Sequence, residues 1–419
     1  MRLWSAQAIS AFGSRITRTA LPIIAVAALG ESESIVALLA AVSLAPGAVL
    51  ALFAGGFVDR GVKRRILVWA DLARALVIVS LTIAWAFGVL SIVHVCIVGA
   101  TVGAASALFQ IADIAYLPAL VTRSELVDGN SKLQTTEAFA EISGPASAGV
   151  LIAALGAPIA VVIDAVSYLW SALMLGRIKT VEPPASPDGA SLSMSASMWQ
   201  TTKDLKIGMR AVFRNALVRP LVIASIIWTA SYGFFVALYT MFCLRTLGLS
   251  QTVFGLIIAV GGVGSIIGAL GARPLARRLG VGPTIFLASI FVSLAQLCVP
   301  LASGSFVAIV VLLCIQQLVG DGFSVVFTIH AVTLRQTVLR REVLGRANAA
   351  ITACVTGVVP FAAIAAGVIA ELTSIRFAFW IGMAMPLCVP FVLWPLRRLP
   401  STDLMSQSAS ETLNGDGRN

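Results

Sequence analysis

Apolar residues run along this chain in stretches of membrane length rather than in alternation. Twelve runs lie at roughly 4–29, 33–56, 66–88, 91–118, 130–155, 157–177, 217–243, 251–271, 283–302, 305–333, 346–370 and 374–396. About 20 apolar residues cross a bilayer as a helix. Backbone groups in hydrocarbon must bond within their own segment, so each run is expected to be a helix. The first run holds Gln7, Ser14, Arg15 and Arg18, with no small-residue cleavage site after a clean apolar core. It reads as a membrane helix and not as a removable signal.

The pattern breaks between the sixth and seventh runs. Glu182-Pro183-Pro184-Ala185-Ser186-Pro187-Asp188-Gly189 can be neither helix nor sheet. Beyond it, Trp199, Leu205, Met209, Val212 and Phe213 are interleaved with Lys203, Lys206, Arg210 and Arg214. That spacing predicts an amphipathic helix lying at a membrane face. The expected organisation is an N-terminal six-helix bundle over 1–177, a cytoplasmic linker over 178–216, a C-terminal six-helix bundle over 217–397 and a disordered tail over 398–419.

Composition agrees. Charged residues make up 11% of the chain and apolar residues 58%, and mean hydropathy is +0.96. Soluble domains carry about 25% charged residues, so a soluble globular protein is excluded. A net charge of +10 would suit nucleic acid, but the placement of the cations argues against it. They gather at alternate connections: Arg60 to Arg65, Arg123 and Lys132, Arg177 to Arg219, Arg273 to Arg278, and Arg335 to Arg346. The termini carry Arg2, Arg397, Arg398 and Arg418. The connections at 30–33, 87–92, 155–158 and 301–305 carry none. This is the positive-inside pattern. It predicts a multi-pass protein of the cell inner (plasma) membrane, with both termini cytoplasmic and an even number of spans. The lipid bilayer is its partner, and nucleic acid is not.

The six cysteines lie within or at the edge of apolar runs without a CxxC, and only His94 and His330 are present. Neither a metal site nor a disulfide is expected. The stretch Gly261-Gly262-Val263-Gly264-Ser265-Ile266-Ile267-Gly268 lies inside the eighth run, with no strand before it and no lysine after it. Gly264 and Gly268 therefore predict a close helix contact, not a phosphate loop. No cofactor is expected, and no catalytic cluster suggests an enzyme. Energy must come from an ion gradient or from the substrate's own gradient.

The connection between the second and third runs reads Gly55-Gly56-Phe57-Val58-Asp59-Arg60-Gly61-Val62-Lys63-Arg64-Arg65. It resembles the signature loop of the major facilitator superfamily. Gly55, Asp59, Arg60, Lys63 and Arg64 fall on its positions, and Val62 replaces its second glycine. Gly271 to Arg278 echoes the loop after the eighth run, with Ala276 about where Asp59 stands. The resemblance implies an all-α polytopic protein of twelve transmembrane helices in two pseudo-symmetric six-helix bundles. It implies a substrate held near the midplane and alternating access by rocking of the bundles. It also implies that Asp59 latches onto the start of the eleventh helix, near Arg346 and Asn348.

Gly13 to Pro22, Ser106 to Phe109, Leu117-Pro118 and Gly144-Pro145 with Gly149 are similar to the branch that includes macrolide-efflux and enterobactin-exporter proteins. Gly144, Pro145 and Gly149 resemble a shortened antiporter motif. The branch implies proton-coupled efflux of amphipathic small molecules: drugs, secondary metabolites or siderophores. The protein is expected to act as a monomer. Import or facilitated passage of a small nutrient is the alternative. The aromatics Trp228, Tyr232, Phe234, Phe235 and Tyr239 on the seventh run suit an apolar-bodied substrate or lipid-facing packing equally.

Ionisable residues inside spans cost about 2.5–3.5 kcal/mol each on insertion scales, so each should face a cavity and have a partner. The acids are Asp71, Asp113, Glu137, Glu141, Asp164 and Asp321; the cations are Arg15, Arg18 and Arg74. Asp113 and Glu137 are each twelve residues from Glu125, which predicts similar depth across a hairpin. Glu137 and Glu141 share a helix face. Carboxylates that close do not both ionise. Asp113, Glu137 and Glu141, with Arg15 nearby, are therefore expected to carry the coupling proton, or else to brace the first half as an ion-pair network. Gln7, Ser14 and Arg18 are expected to extend the face of Arg15. Asp321 is expected to bind a cationic substrate or a second proton, or to bond a neighbouring helix. Asp164 is expected to be structural, and Asp71 and Arg74 to join the signature-loop charges.

Overall fold

The computed structural model describes residues 2–120, 126–178, 205–339 and 341–398. For Gly55, Asp59, Arg60, Glu141 and Pro145 only the backbone is described. Of the linker expected over 178–216, residues 179 to 204 lie outside the described residues, as does the expected tail from 399 onward.

Every regular element among these residues is helical. α1 (Arg2–Ile23) closes in a π-helical turn, Ile24–Ala28. There follow α2 (Glu33–Arg60), α3 (Lys63–Ala86), α4 (Ile92–Leu120), α5 (Leu126–Leu155) and α6 (Ala157–Gly176). A short helix, α7, occupies 205–214. α8 (Val218–Met241) closes in a second π-helical turn, Phe242–Thr246, and α9 spans Gln251–Leu279. α10 (Val281–Gln296) and α11 (Cys298–Leu301) run on as one span. So do α12 (Phe306–Ile315), a π-helical segment (Gln316–Asp321) and α13 (Gly322–Val338). α14 covers Arg341–Leu372; α15 (Ile375–Ala384) and α16 (Val389–Leu393) form the last span with two 3-10 turns.

Among the described residues, nine spans are long and apolar enough to cross a membrane. α1, α2 and α5, at 22, 28 and 30 residues, are of similar length. The signature stretch is mostly helix: α2 runs through Arg60, and only Gly61 and Val62 separate it from α3.

The two halves repeat in backbone detail. After α1, Leu29 N donates to Ile24 O at 3.0 Å and Glu31 N to Ala25 O at 3.0 Å, with Gly30 at φ 72°. After α8, Leu247 N donates to Phe242 O and Leu249 N to Cys243 O, both at 2.9 Å, with Gly248 at φ 65°. Any other residue would be strained at these left-handed positions by roughly 1–2 kcal/mol. The 218-residue offset between Gly30 and Gly248 recurs at the starts of α2 and α9 and of α3 and α10. This register sets Arg277, and not Ala276, opposite Asp59. Helix ends define it, whereas an echo of cations alone slides by a residue.

The chain divides into two compact units. The first comprises Met1–Lys203, Tyr232–Ala259 and Thr356–Ala378. One of its cores gathers Leu67, Ala112, Tyr116 and Leu175 from α3, α4 and α6. The second comprises Asp204–Ser231, Val260–Val355 and Phe379–Asn419. Its main core joins Leu221, Ile285, Val326, Leu334 and Leu393. Within the second unit, a Cβ on Gly264 would lie 2.9 Å from Leu318 Cα, and one on Gly268 would lie 2.9 Å from Gly322 Cα. The expected helix contact at these two glycines is thus observed, between α9 and the span of α12 and α13.

Candidate functional site

Arg15 is buried near the middle of α1 and donates to Glu137 Oε1 on α5, which is half-exposed. Its aliphatic stem lies across Gly144, where a Cβ would sit 2.6 Å from Arg15 Cγ and 2.8 Å from Arg15 Cβ. Gly144 therefore makes room for the side chain whose head pairs with a carboxylate about two turns away. The antiporter-like glycine and the ionisable pair form one unit.

Asp113 on α4 has a different partner, accepting from Gln7 Nε2. Gln7 precedes Arg15 by eight residues, about 12 Å along α1. Asp113 and Glu137 are therefore not at one depth. α4 ends at Leu120 and α5 begins at Leu126, so the turn is centred before Glu125. Asp113 is seven residues from its helix end and Glu137 eleven, an offset of about 6 Å. The polar residues of α1 also do not share one face. Arg15 meets α5, Ser14 Oγ is 3.0 Å from Tyr168 Oη on α6, and Arg18 is exposed.

A second charged group lies on the α6 side of α1. Arg74 Nη2 donates to Asp71 Oδ1 within α3, and Arg74 Nη1 donates to Ser106 Oγ on α4 at 3.3 Å. The guanidinium lies over the rings of Tyr168, at 4.1 Å, and Phe109, at 4.7 Å. Asp164 on α6 is 0% exposed and accepts from Ser167 Oγ at 3.0 Å. A Cβ on Gly13 would meet Asp164 Oδ1 at 2.5 Å, so α1 crosses α6 closely here. Asp71 and Arg74, expected to belong to the signature loop, instead neighbour Asp164 in the middle of the first unit. The link was missed because Asp164 and Arg74 are 90 residues apart.

At the end of α1 remote from the N-terminus, Arg245 belongs to the second π-helical turn. Its Nη1 donates to Glu31 O at 2.8 Å and its Nη2 to Val26 O at 2.6 Å. Arg376 lies over the Phe242 ring at 5.5 Å. Arg245 and Arg376 stand at the helix ends where other connections lack cations, and both are engaged here. Gly149 on α5 seals the same region: its Cβ would lie 2.9 Å from Gln251 O and 3.0 Å from Gly255 Cα. A Cβ on Gly367 of α14 would likewise lie 3.1 Å from Ser34 Cα. Gly144 and Gly149 therefore serve two different contacts. An aromatic ladder runs close by, with Phe235 stacked on Tyr239 at 4.1 Å and on Tyr232 at 6.3 Å.

In the second unit, Asp321 closes the π-helical segment between α12 and α13, beside the buried Gln316 and Gln317. Its carboxylate approaches the open face of Gly261 on α9. π-helical bulges occur often at functional sites. His330 Nε2 lies 3.0 Å from Ala272 O and is not joined to Asp321. Of the signature-loop cations with described side chains, Arg64 donates to Ile178 O, and Lys63 begins α3.

Membrane-length helices throughout, with ionisable pairs inside them, define a multi-pass membrane protein. The chain belongs to the MFS_3 family, described as a transmembrane secretion effector, whose model matches residues 1–417. It is 24% identical over 254 residues to the uncharacterized MFS-type transporter YvqJ of Bacillus subtilis (strain 168), a match spanning 58% of each chain. In fold it is similar to a bacterial homologue of the iron transporter ferroportin in an inward-facing state. That similarity has TM-score 0.75 at 16% identity, over 95% of this chain and 98% of that one. The nucleoside transporter NupG gives 0.74 at 12% identity, over 95% and 100%. The xylose transporter XylE from E. coli gives 0.68 at 14% identity, over 97% and 98%. At these identities the likeness is one of fold, shared by proteins named for iron, nucleoside and xylose transport.

Proposed function

We propose that the protein is a secondary active transporter that exports amphipathic small molecules in exchange for protons. Twelve helices in two six-helix halves, with both termini cytoplasmic, would provide alternating access. The observation that carries the reading is the Arg15–Glu137 pair seated on Gly144. Glu137 is half-exposed and can exchange a proton, whereas Arg15 is buried and cannot lose its charge. Protonating Glu137 would remove the carboxylate charge to which the Arg15 guanidinium donates. Breaking a buried pair costs roughly 3–5 kcal/mol, less here because one partner meets solvent. Moving a two-state equilibrium from 1:99 to 99:1 takes about 5.5 kcal/mol. One proton at this pair, aided by substrate, is thus of the right size to bias α1 against α5.

The aromatic ladder of Tyr232, Phe235 and Tyr239 supports a substrate with an apolar body, and Asp321 supports one with a cationic end. The test is accumulation of a compound panel in a drug-sensitive host, followed by pH-gradient-driven transport in everted vesicles. Lower accumulation, with coupling lost in a Glu137→Gln, Glu141→Gln double variant, is expected. Full coupling in that variant would overturn the assignment of the site. Raised accumulation on expression would favour import.

A further inference from the structure

We propose that Asp164 is a buried proton-binding site, occupied at rest, with Arg74 committed to Asp71. The inference rests on the reading of proton-coupled transport only for the use made of the proton, and its existence is tested without transport.

The charge balance of the buried group is uneven. Asp71, Arg74 and Asp164 are exposed by 0%, 4% and 0%. Two carboxyl groups thus share one guanidinium, and no other charged group acts on Asp164 among the described residues. The neighbours can be taken helix by helix. α3 presents Asp71 and Arg74; α6 presents Tyr168 and the Ser167 hydroxyl; α4 presents Ser106 and the Phe109 ring. α1 presents the hydroxyls of Ser14 and Thr17, while Arg15 is turned to α5 and Arg18 is exposed. A carboxylate this deep, without a cation of its own, is disfavoured against its neutral acid.

The Arg74–Asp71 pair assigns the proton to Asp164 and not to Asp71, although Asp71 Oδ2 also lacks a hydrogen-bond partner among the described residues. Arg74 bonds directly to Asp71 and stacks between two rings, so its position is fixed on that partner. Asp164 faces hydroxyls and no bonded cation: Ser167 Oγ donates to its Oδ1 and is also 2.8 Å from the Asp164 carbonyl, and the Thr17 hydroxyl lies beside the carboxyl. Asp164 Oδ2 has no hydrogen-bond partner among the described residues. Neither has the Thr17 hydroxyl beside it, 3% exposed and pointing into the same buried space. An acidic O–H on Oδ2 gives Thr17 Oγ1 a donor and leaves neither atom orphaned. An ionised Asp164 could take a second bond from the Thr17 hydroxyl, but it would still hold its charge in a buried space without a bonded cation.

The site reaches α1 from the face opposite the Arg15–Glu137 pair. Thr17 and Ser14 touch the buried group, and Arg15 touches the half-exposed pair. A proton lost from Asp164 would be felt by the same helix that senses Glu137.

The experiment is infrared difference spectroscopy of the full-length protein in lipid nanodiscs at neutral pH. The readout is the carbonyl stretch of a protonated carboxylic acid, which stands apart from the carboxylate bands. The signal is expected in the wild type, lost in Asp164→Asn and kept in Glu137→Gln. Asparagine mimics the neutral acid in shape and donor placement, so Asp164→Asn should fold and elute as the wild type does. In Asp71→Asn the freed guanidinium should ionise Asp164 and abolish the signal with residue 164 intact. A wild type without the signal, or a signal that persists in Asp164→Asn, would overturn the proposal. So would an Asp164→Asn chain that fails to fold, because only an ionised Asp164 needed by Arg74 predicts that. Loss of pH-driven transport in the Glu137 variant with the infrared signal intact would separate the two sites.

Discussion

The stem of Arg15 lies across Gly144, so the head of the same side chain can reach Glu137 from a buried position. A helix contact and an ion pair thus depend on one absent Cβ. A methyl group at 144 would stand 2.6 Å from Arg15 Cγ. Gly144→Ala is expected to push α1 from α5, costing about 1–3 kcal/mol of stability as overpacking does and most of the transport. Thermal unfolding in detergent and vesicle transport measure both. Wild-type behaviour in each would show that the contact is soft.

Glu137→Gln keeps an oxygen for Arg15 to bond and removes only the charge. The loss of stability should be about 1 kcal/mol, the scale of a single hydrogen bond. Transport driven by a pH gradient should fall at least tenfold, while exchange down the substrate's own gradient continues. Equal loss of the two modes would mean that Glu137 holds structure and not a proton.

Arg245 should hold the α1–α2 and α8–α9 connections together. Lysine cannot reproduce its two-pronged contact with the carbonyls of Val26 and Glu31. Both Arg245→Lys and Arg245→Ala are expected to raise the rate at which a maleimide labels a Ser32→Cys probe by several-fold. An unchanged labelling rate would remove Arg245 from any closing role.

Gly268 meets the backbone of Gly322, where no side chain can yield. Gly268→Val should prevent the second unit from assembling, at a cost of about 3 kcal/mol or more given backbone overlap on top of overpacking. Size-exclusion chromatography would show aggregation. Gly271, with open space around its Cβ position, should accept alanine without change.

Asp321→Asn should reduce export of cationic compounds and spare neutral ones of similar size, because the substitution removes charge and little volume. A panel matched in shape but not in charge reads this out. A uniform fall across the panel would point to a helix-bracing role at the π-helical segment.

Hydrophobicity along the chain determined by itself that this is a polytopic helical membrane protein. Lipid offers the backbone no partner, so composition alone dictates helix. Single residues with one physical meaning were legible too, such as the small side chains at Gly264 and Gly268. Which polar groups meet was decided only in three dimensions. A two-residue shift of the α4–α5 turn separates Asp113 from Glu137, because depth in a hairpin counts from helix ends that sequence places loosely. Ser14 and Arg15, neighbours in the chain, point to α6 and α5, because consecutive helical positions are about 100° apart. Asp164 and Arg74 share one buried space, and Arg245 reaches carbonyls on the first connection, across separations over which no local pattern carries information. Electrostatic partnership depends on distance in space, and only tertiary packing sets that distance.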